Sequence, residues 1–344
     1  MFFMLAKQAA EQKPSVLGEL FGKIFNWLFN VVYGMSPTWS LFITIVLFTI
    51  FVKLILLPLA IKQQKSLKAN QIMQPKIKAL QDKYKNKNDA ESQQKMALEM
   101  QALYKENNSN PFVGCLLTFI QLPIIYALFD VMKHITKYIT HIGDIYTNLA
   151  NSIMAVPESG TILGNLATAK KMAGLDCTVI DNVKNLFMQL SNADWTALLG
   201  DIQSHLDLNM IQGLIDQKNQ VESFCGINLI ASPSIRSISI ILPLITAAVT
   251  YWSMNQSSNQ TEGMDEQSKQ MMKNMSSFMK VLIVTIFISS LSLPAAISIY
   301  WTLSNLWQMG QNWLLKKLLK DYDPAQDGKK KKDYIDVKDM KDVK

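Results

Sequence analysis

Charge is scarce in this chain. Only 18% of its residues are Asp, Glu, Lys or Arg, where a soluble domain carries about a quarter. Apolar residues take their place, at 49% of the 344, and they fall in long blocks rather than alternating. That distribution argues against an ordinary soluble domain and predicts an all-α polytopic membrane protein.

Cysteine is scarce too. Three thiols, Cys115, Cys177 and Cys225, argue against a disulfide framework or a structural zinc site. Cys115 falls in an apolar run. Cys177 and Cys225 share one polar region and could pair if it faced an oxidising compartment; whether they do stays open. The sequence has no His-Glu-x-x-His, no Gly-x-Ser-x-Gly, no Cys-x-x-Cys and no phosphate-cradling glycine loop. His134, His141 and His205 have no acidic cluster or paired cysteine to make a metal site. No enzyme class, cofactor or metal is expected. A Ser/Lys dyad on a buried lysine is conceivable, but no serine is singled out as its nucleophile. No cleavable signal is expected either: Met1 to Ala6 is too short for an apolar core and Lys7 follows it.

What is present is a series of helical patterns. Residues 15–33 place Leu17, Leu20, Phe21, Ile24, Phe25, Leu28, Val31 and Val32 at helical spacing, with Glu19, Lys23, Asn26 and Asn30 opposite. This predicts an amphipathic helix in the membrane interface, within an N-terminal region of residues 1–38. Apolar runs predict spans at 39–61, 110–132 and 235–253. A last pair lies within 278–316, split at Ser292-Leu293-Pro294. The fourth is short: Val281 to Leu291 is only about 16 Å of helix. Residues 62–109 carry ten lysines against five acids, and 133–232 six against nine. The positive-inside rule then puts 62–109 in the cytoplasm and 133–232 outside, with the N-terminus outside and the C-terminus inside. Lys316, Lys317 and Lys320 agree.

Residues 62–109 read as a cytoplasmic helical hairpin. Its first arm carries Leu67, Ile72, Ile77, Leu80 and Tyr84, its second Met96, Met100, Leu103 and Tyr104. Two readings are open: the arms pack on each other, or they offer a methionine-bearing surface to partners. The region 133–234 is too long for a structureless loop and is expected to be a helical extracytoplasmic insert. Residues 254–277 read as a cytoplasmic loop and 317–344 as a disordered charged tail. In the stretch 321–344 seven lysines, including Lys329 to Lys332, meet seven aspartates.

The most informative residue is Lys53, in the middle of the first apolar run between Phe51-Val52 and Leu54-Ile55. A cation at the centre of a spanning helix costs roughly 2.5–3.5 kcal/mol on insertion scales. Thr49 lies one turn before it. Thr246 and Thr250 are four apart, Trp301 and Asn305 likewise, and Gln121 falls mid-span. Helix-to-helix bonding explains each of the uncharged polar residues singly. It does not explain Lys53, which has no carboxylate at any span centre; Asp130 lies toward a span end. A single hydrated groove accommodates all of them.

Several dispersed motifs resemble those of the YidC-type membrane protein insertases of the Oxa-type superfamily. They are Lys53-Leu-Ile-Leu-Leu-Pro58, Gln74-Pro75-Lys76-Ile77, Asn110-Pro111-Phe-Val-Gly114-Cys115-Leu with Gln121-Leu-Pro123, and Pro294-Ala-Ala-Ile-Ser-Ile-Tyr300-Trp301 with Ser304-Asn305 and Gln311. The resemblance covers about 15–132 and 235–316 and points to the short Gram-positive-like form, with a longer insert than expected. It implies a five-span core around a hydrophilic groove open to cytoplasm and lipid. Lys53 stands at the family's positive residue, usually arginine. Thr49 matches a groove position, Trp301 a substrate-facing aromatic, and 62–109 the substrate-receiving hairpin. Pro294-Ala-Ala departs from the common Pro-Ala-Gly.

The expected function is insertion of nascent membrane proteins without nucleotide hydrolysis. Substrate tails would meet a groove of Lys53, Thr49, Gln121, Thr246, Thr250, Trp301 and Asn305, with Met96 and Met100 as hairpin contacts. The expected partners are nascent membrane proteins and lipid, with the ribosome, signal recognition pathway and Sec translocon as open candidates and no DNA. The rival reading, a small-solute or ion transporter gated by Lys53, calls for inverted repeats, and none is visible.

Overall fold

The computed structural model describes residues 16–85, 87, 89–106, 113–202, 208–258, 281 and 283–322. The N-terminal 15 residues, most of the 254–277 loop and the tail beyond Tyr322, with its four-lysine run, lie outside the described residues. The described chain is almost wholly helical, in keeping with the all-α expectation. In chain order the helices are α1 (Val16–Met35), α2 (Ser40–Tyr84), α3 (Ala90–Glu106), α4 (Val113–Lys133), α5 (Ile135–Tyr138), α6 (Thr140–Met154), α7 (Ser159–Ala169), α8 (Ile180–Phe187), α9 (Asn192–Ile202) and α10 (Leu208–Glu222). A two-residue ribbon follows, β1 (Ser223–Phe224) paired antiparallel with β2 (Ile227–Asn228). Then come α11 (Ile241–Ser258), α12 (283–290) and α13 (Ala295–Leu318).

Helix α2 has 45 residues, about 67 Å at 1.5 Å per residue. It carries on past Ile61 into the stretch read as the first hairpin arm, through Pro58 and Pro75. Each proline removes one backbone donor, yet the long apolar and lysine-rich flanks sustain the helix on both sides. Among the described residues, α2 is the one helix long and apolar enough to cross a membrane.

The described chain divides into two compact units. The first holds α1, α2 up to Phe51, the chain from Pro123 to Val249, and 283–304. Here α1 buries Gly18, Gly22, Phe25, Phe29 and Val32 as one stripe. Phe21 and Phe25 meet the ring of Phe48 at 5.6 and 5.4 Å. Leu17, Leu20 and Trp27 stay exposed on the same helix, so its apolar residues point both inward and outward. The insert 133–232 forms its own core, with Ile142, Tyr146, Leu149, Leu163, Val183, Phe187, Trp195, Ile202 and Ile211 buried.

The second unit holds α2 from Val52, α3, α4 up to Leu122, the chain from Thr250 to Leu282, and 305 onward. The hairpin arms α2 and α3 meet at Glu99, which accepts from Lys83 Nζ at 2.7 Å and from the Tyr84 hydroxyl at 2.8 Å. Lys83 and Tyr84 hold the Glu99 carboxyl below its usual range. No residue of α3 is buried. The arms therefore do touch, through charge, while Met96 and Met100 stay half-exposed.

Candidate functional site

Lys53 is 7% exposed, and among the described residues no carboxylate pairs with it. It lies on α2 in the second unit. That unit also holds Gln121, half-buried on α4, and Thr250 and Asn305. The structure brings the last two together: Asn305 Nδ2 donates to Thr250 Oγ1 at 3.0 Å, linking α13 to α11. In the same unit, Gln64 Nε2 on α2 donates to Asn312 Oδ1 on α13 at 2.8 Å. Lys68 Nζ donates to the carbonyls of Leu319 and Lys320, just past the end of α13. Lys65 lies over the Tyr322 ring at 4.8 Å. A cleft of about 430 Å³ between the hairpin arms is lined by Lys76, Leu80, Lys83, Glu99, Leu103 and Glu106.

Thr49, Thr246 and Trp301 belong to the first unit. Thr49 is buried and its hydroxyl donates to the Ile45 carbonyl at 2.7 Å, within its own helix. Thr246 Oγ1 lies 2.8 Å from the Leu242 carbonyl, 3.1 Å from the Ser298 carbonyl and 2.9 Å from Thr302 Oγ1. A hydroxyl has one proton, so one carbonyl takes it while Thr302 donates its own. Thr246 thus ties α11 to α13. Trp301 is half-buried.

Three features of the first unit escaped the sequence reading. Asp130 accepts from the Tyr138 hydroxyl at 3.4 Å and lies 3.0 Å from His134 Nδ1. Burial, then the Asp130 carboxylate, push the Tyr138 phenol up to about 12. Lys218 and Glu222, each 1% exposed, form an ion pair at 3.0 Å. Burial and then Glu222 push the nearby Tyr146 phenol well above its ordinary value. The i, i+4 spacing of Asp130 with His134 and of Lys218 with Glu222 was a usable signal. Trp39 has a positive φ of 60°, costly for a bulky residue. Its N–H donates to the Gln220 carbonyl at 3.1 Å, and nothing in the spacing marked it. Cys177 and Cys225 are both free thiols, so the pairing left open above is not formed.

A family model described as "60Kd inner membrane protein" matches residues 31–322. The chain belongs to the 60Kd inner membrane protein family. Its similar relatives include a "Membrane protein insertase YidC" of Clostridium perfringens, 39% identical over 149 residues, which are 40% of this chain and 60% of the relative. Another of the same name, from Alkalihalophilus pseudofirmus, is 49% identical over 104 residues, 30% of this chain and 38% of the relative. One from Enterococcus faecalis is 41% identical over 114 residues, 33% and 41%. The matched stretches thus span between 38 and 60% of these relatives. The motif resemblance to YidC-type insertases agrees with this membership.

Proposed function

We propose that this protein is a membrane protein insertase. It takes hydrophilic tails of nascent membrane proteins into a positively charged hydrated groove and releases their apolar helices sideways into lipid, without hydrolysing nucleotide. The observation that carries this reading is Lys53: a cation on a long apolar helix, 7% exposed, with no carboxylate partner among the described residues. Keeping a lone charge there is costly unless water or a substrate carboxylate meets it. Attraction between Lys53 and an acidic tail is several-fold stronger at low effective dielectric than in bulk water.

In this reading Lys53 is the electrostatic attractor. The proposed polar and aromatic lining is Thr49, Gln121, Thr246, Thr250, Trp301 and Asn305. Met96 and Met100, half-exposed on an arm with no buried residue, are flexible apolar contacts for an arriving substrate helix. In this reading five spans cross a bacterial plasma membrane, with α1 in the interface, the hairpin and C-terminus in the cytoplasm and the insert outside. Partners are the nascent chain and lipid, with ribosome, signal recognition pathway or Sec translocon upstream. Exit into lipid is driven by apolar transfer and, for acidic tails, by the membrane potential.

The test compares Lys53→Ala and Lys53→Arg in proteoliposomes charged with a single-span substrate bearing an acidic tail. Loss of insertion with alanine and retention with arginine is expected; equal insertion by both overturns the attractor role. Ion flux in the same vesicles separates an insertase from a transporter.

A further inference from the structure

The insert carries a run of polar contacts whose last link lies on a different helix. It begins at the buried pair of Lys218 Nζ and Glu222 Oε2, 3.0 Å apart. Asn228 Nδ2 donates to that same Oε2 at 3.3 Å. On its other side, Asn228 Oδ1 accepts the backbone N–H groups of Ile230 at 2.8 Å and Ala231 at 3.1 Å. The segment so turned presents two carbonyls to the start of α13. Leu229 accepts from the Ala296 N–H at 2.8 Å and Ala231 from the Ala295 N–H at 3.0 Å. All of these residues belong to the first unit.

The first N–H groups of a helix have no partner within it. At α13 water is no substitute, because Ala295 and Ala296 are both 0% exposed. Side-chain capping is not used either: Pro294 precedes them and has no polar side chain. The capping acceptors come from the insert. Two small residues at this end let the backbones approach. A single Asn side chain, using both ends of its amide, joins the buried ion pair to the capping turn. A buried ion pair is a poor source of net stability but a good geometric constraint, which suits it to fixing where Asn228 sits.

We propose that Asn228 is a positioning residue: it relays the buried Lys218–Glu222 pair to the N-terminus of α13 and so sets the axial register at which that helix carries Trp301. The consequence for substrate handling rests on the insertase reading; the register itself does not. The insert is then a structural partner of the last span rather than a passive loop. The same stretch also grips the start of α2, where the Trp39 N–H donates to the Gln220 carbonyl and Phe42 stacks on Phe224 at 3.7 Å.

The test is backbone amide hydrogen exchange of the full chain in lipid nanodiscs, read on peptides covering 292–300. Asn228→Asp keeps the Oδ1 acceptor but loses the donor and sets a carboxylate against Glu222. It should speed exchange at Ala295 and Ala296 about ten-fold or more, as expected for a lost buried hydrogen bond. Peptides around Leu163, buried elsewhere in the insert, should keep their protection. The double variant Asn228→Asp with Glu222→Gln restores a donor on the partner side and should recover most of the protection. Unchanged exchange in Asn228→Asp, or no recovery in the double variant, overturns the proposal. If Asn228→Asp loses protection across the whole insert, Lys218→Met with Glu222→Leu is scored instead, which removes the pair and the acceptor of Asn228 together: faster exchange at Ala295 and Ala296 supports the relay and unchanged exchange removes it. No insertion assay enters this readout. Failure of the Lys53 test with success here leaves the relay standing and the insertase reading fallen, and the reverse outcome does the opposite.

Discussion

Asn305 on α13 donates its Nδ2 hydrogen to the hydroxyl of Thr250 on α11, 3.0 Å away and 55 residues back in the chain. A double-mutant cycle of Asn305→Ala and Thr250→Val should return a coupling of about 0.6 kcal/mol, and no more than about 1.7, the range for interhelical bonds in membranes. Chemical unfolding in mixed micelles measures it. A coupling near zero would mean that each side chain prefers its other neighbours. In insertion assays the same pair should matter less than Lys53, because uncharged lining changes hydration locally while the lysine changes the field.

That pair shows what the sequence could and could not tell. Helical character was legible throughout, because apolar runs and 3.6-residue periodicity are local properties. The polar faces Thr246/Thr250 and Trp301/Asn305 were legible for the same reason. Which face meets which was not, since no spacing rule pairs residue 250 with 305 across two helices. The continuity of α2 past Ile61 was hidden by Pro58 and by a change from apolar to lysine-rich composition, both of which look like boundaries. The relay through Asn228 was hidden more deeply. Its parts are a local turn, an i, i+4 pair and two backbone carbonyls, and none of them differs from surface chemistry until burial is known.

Gly22 on α1 packs against the ring of Tyr138. A Cβ at this position would come within 2.2 Å of Tyr138 Cδ1, so Gly22→Ala forces the ring or the helix to move. Overpacking of this kind costs about 1–3 kcal/mol. A thermal-shift series should show Gly22→Ala destabilised and Gly22→Ala with Tyr138→Ala less so than the sum of the single variants. Additivity would show that α1 yields without engaging the ring. Gly34, with open space where its Cβ would go, is the control and should accept alanine.

Helix α9 opens on a capping box. Ser191 Oγ lies 3.3 Å from the Asp194 N–H, and Asp194 Oδ2 accepts the Ser191 N–H at 2.7 Å and also meets Lys170. Burial raises the Asp194 carboxyl, but hydrogen bonds from Lys170 and Ser191 outweigh it and the net direction is down. A carboxyl lowered in the folded state contributes stability above its unfolded pKa, about 3.9. That contribution fades as pH falls from there through the lower folded value. Asp194→Asn should therefore cost the insert about 1 kcal/mol at neutral pH. The difference from the parent should shrink below about pH 4. A difference that persists unchanged at pH 3 would assign the effect to packing.

The ribbon turn carries the last prediction. Cys225 and Gly226 have φ of 50° and 78°, the positive pair of a two-residue hairpin turn that favours Asn-Gly. Cysteine gains nothing from this conformation, and its side chain is exposed and free. Cys225→Asn should raise stability by roughly 0.5–1 kcal/mol, since asparagine tolerates the left-handed region better. In the parent chain, maleimide without reductant should label Cys225 quickly. Cys177 should react more slowly, because it is partly covered and burial, then Asp176, push its thiol up. Equal rates would require an opening of the loop that holds Cys177. Protection of both thiols until reductant is added would mean that they pair in the native protein after all.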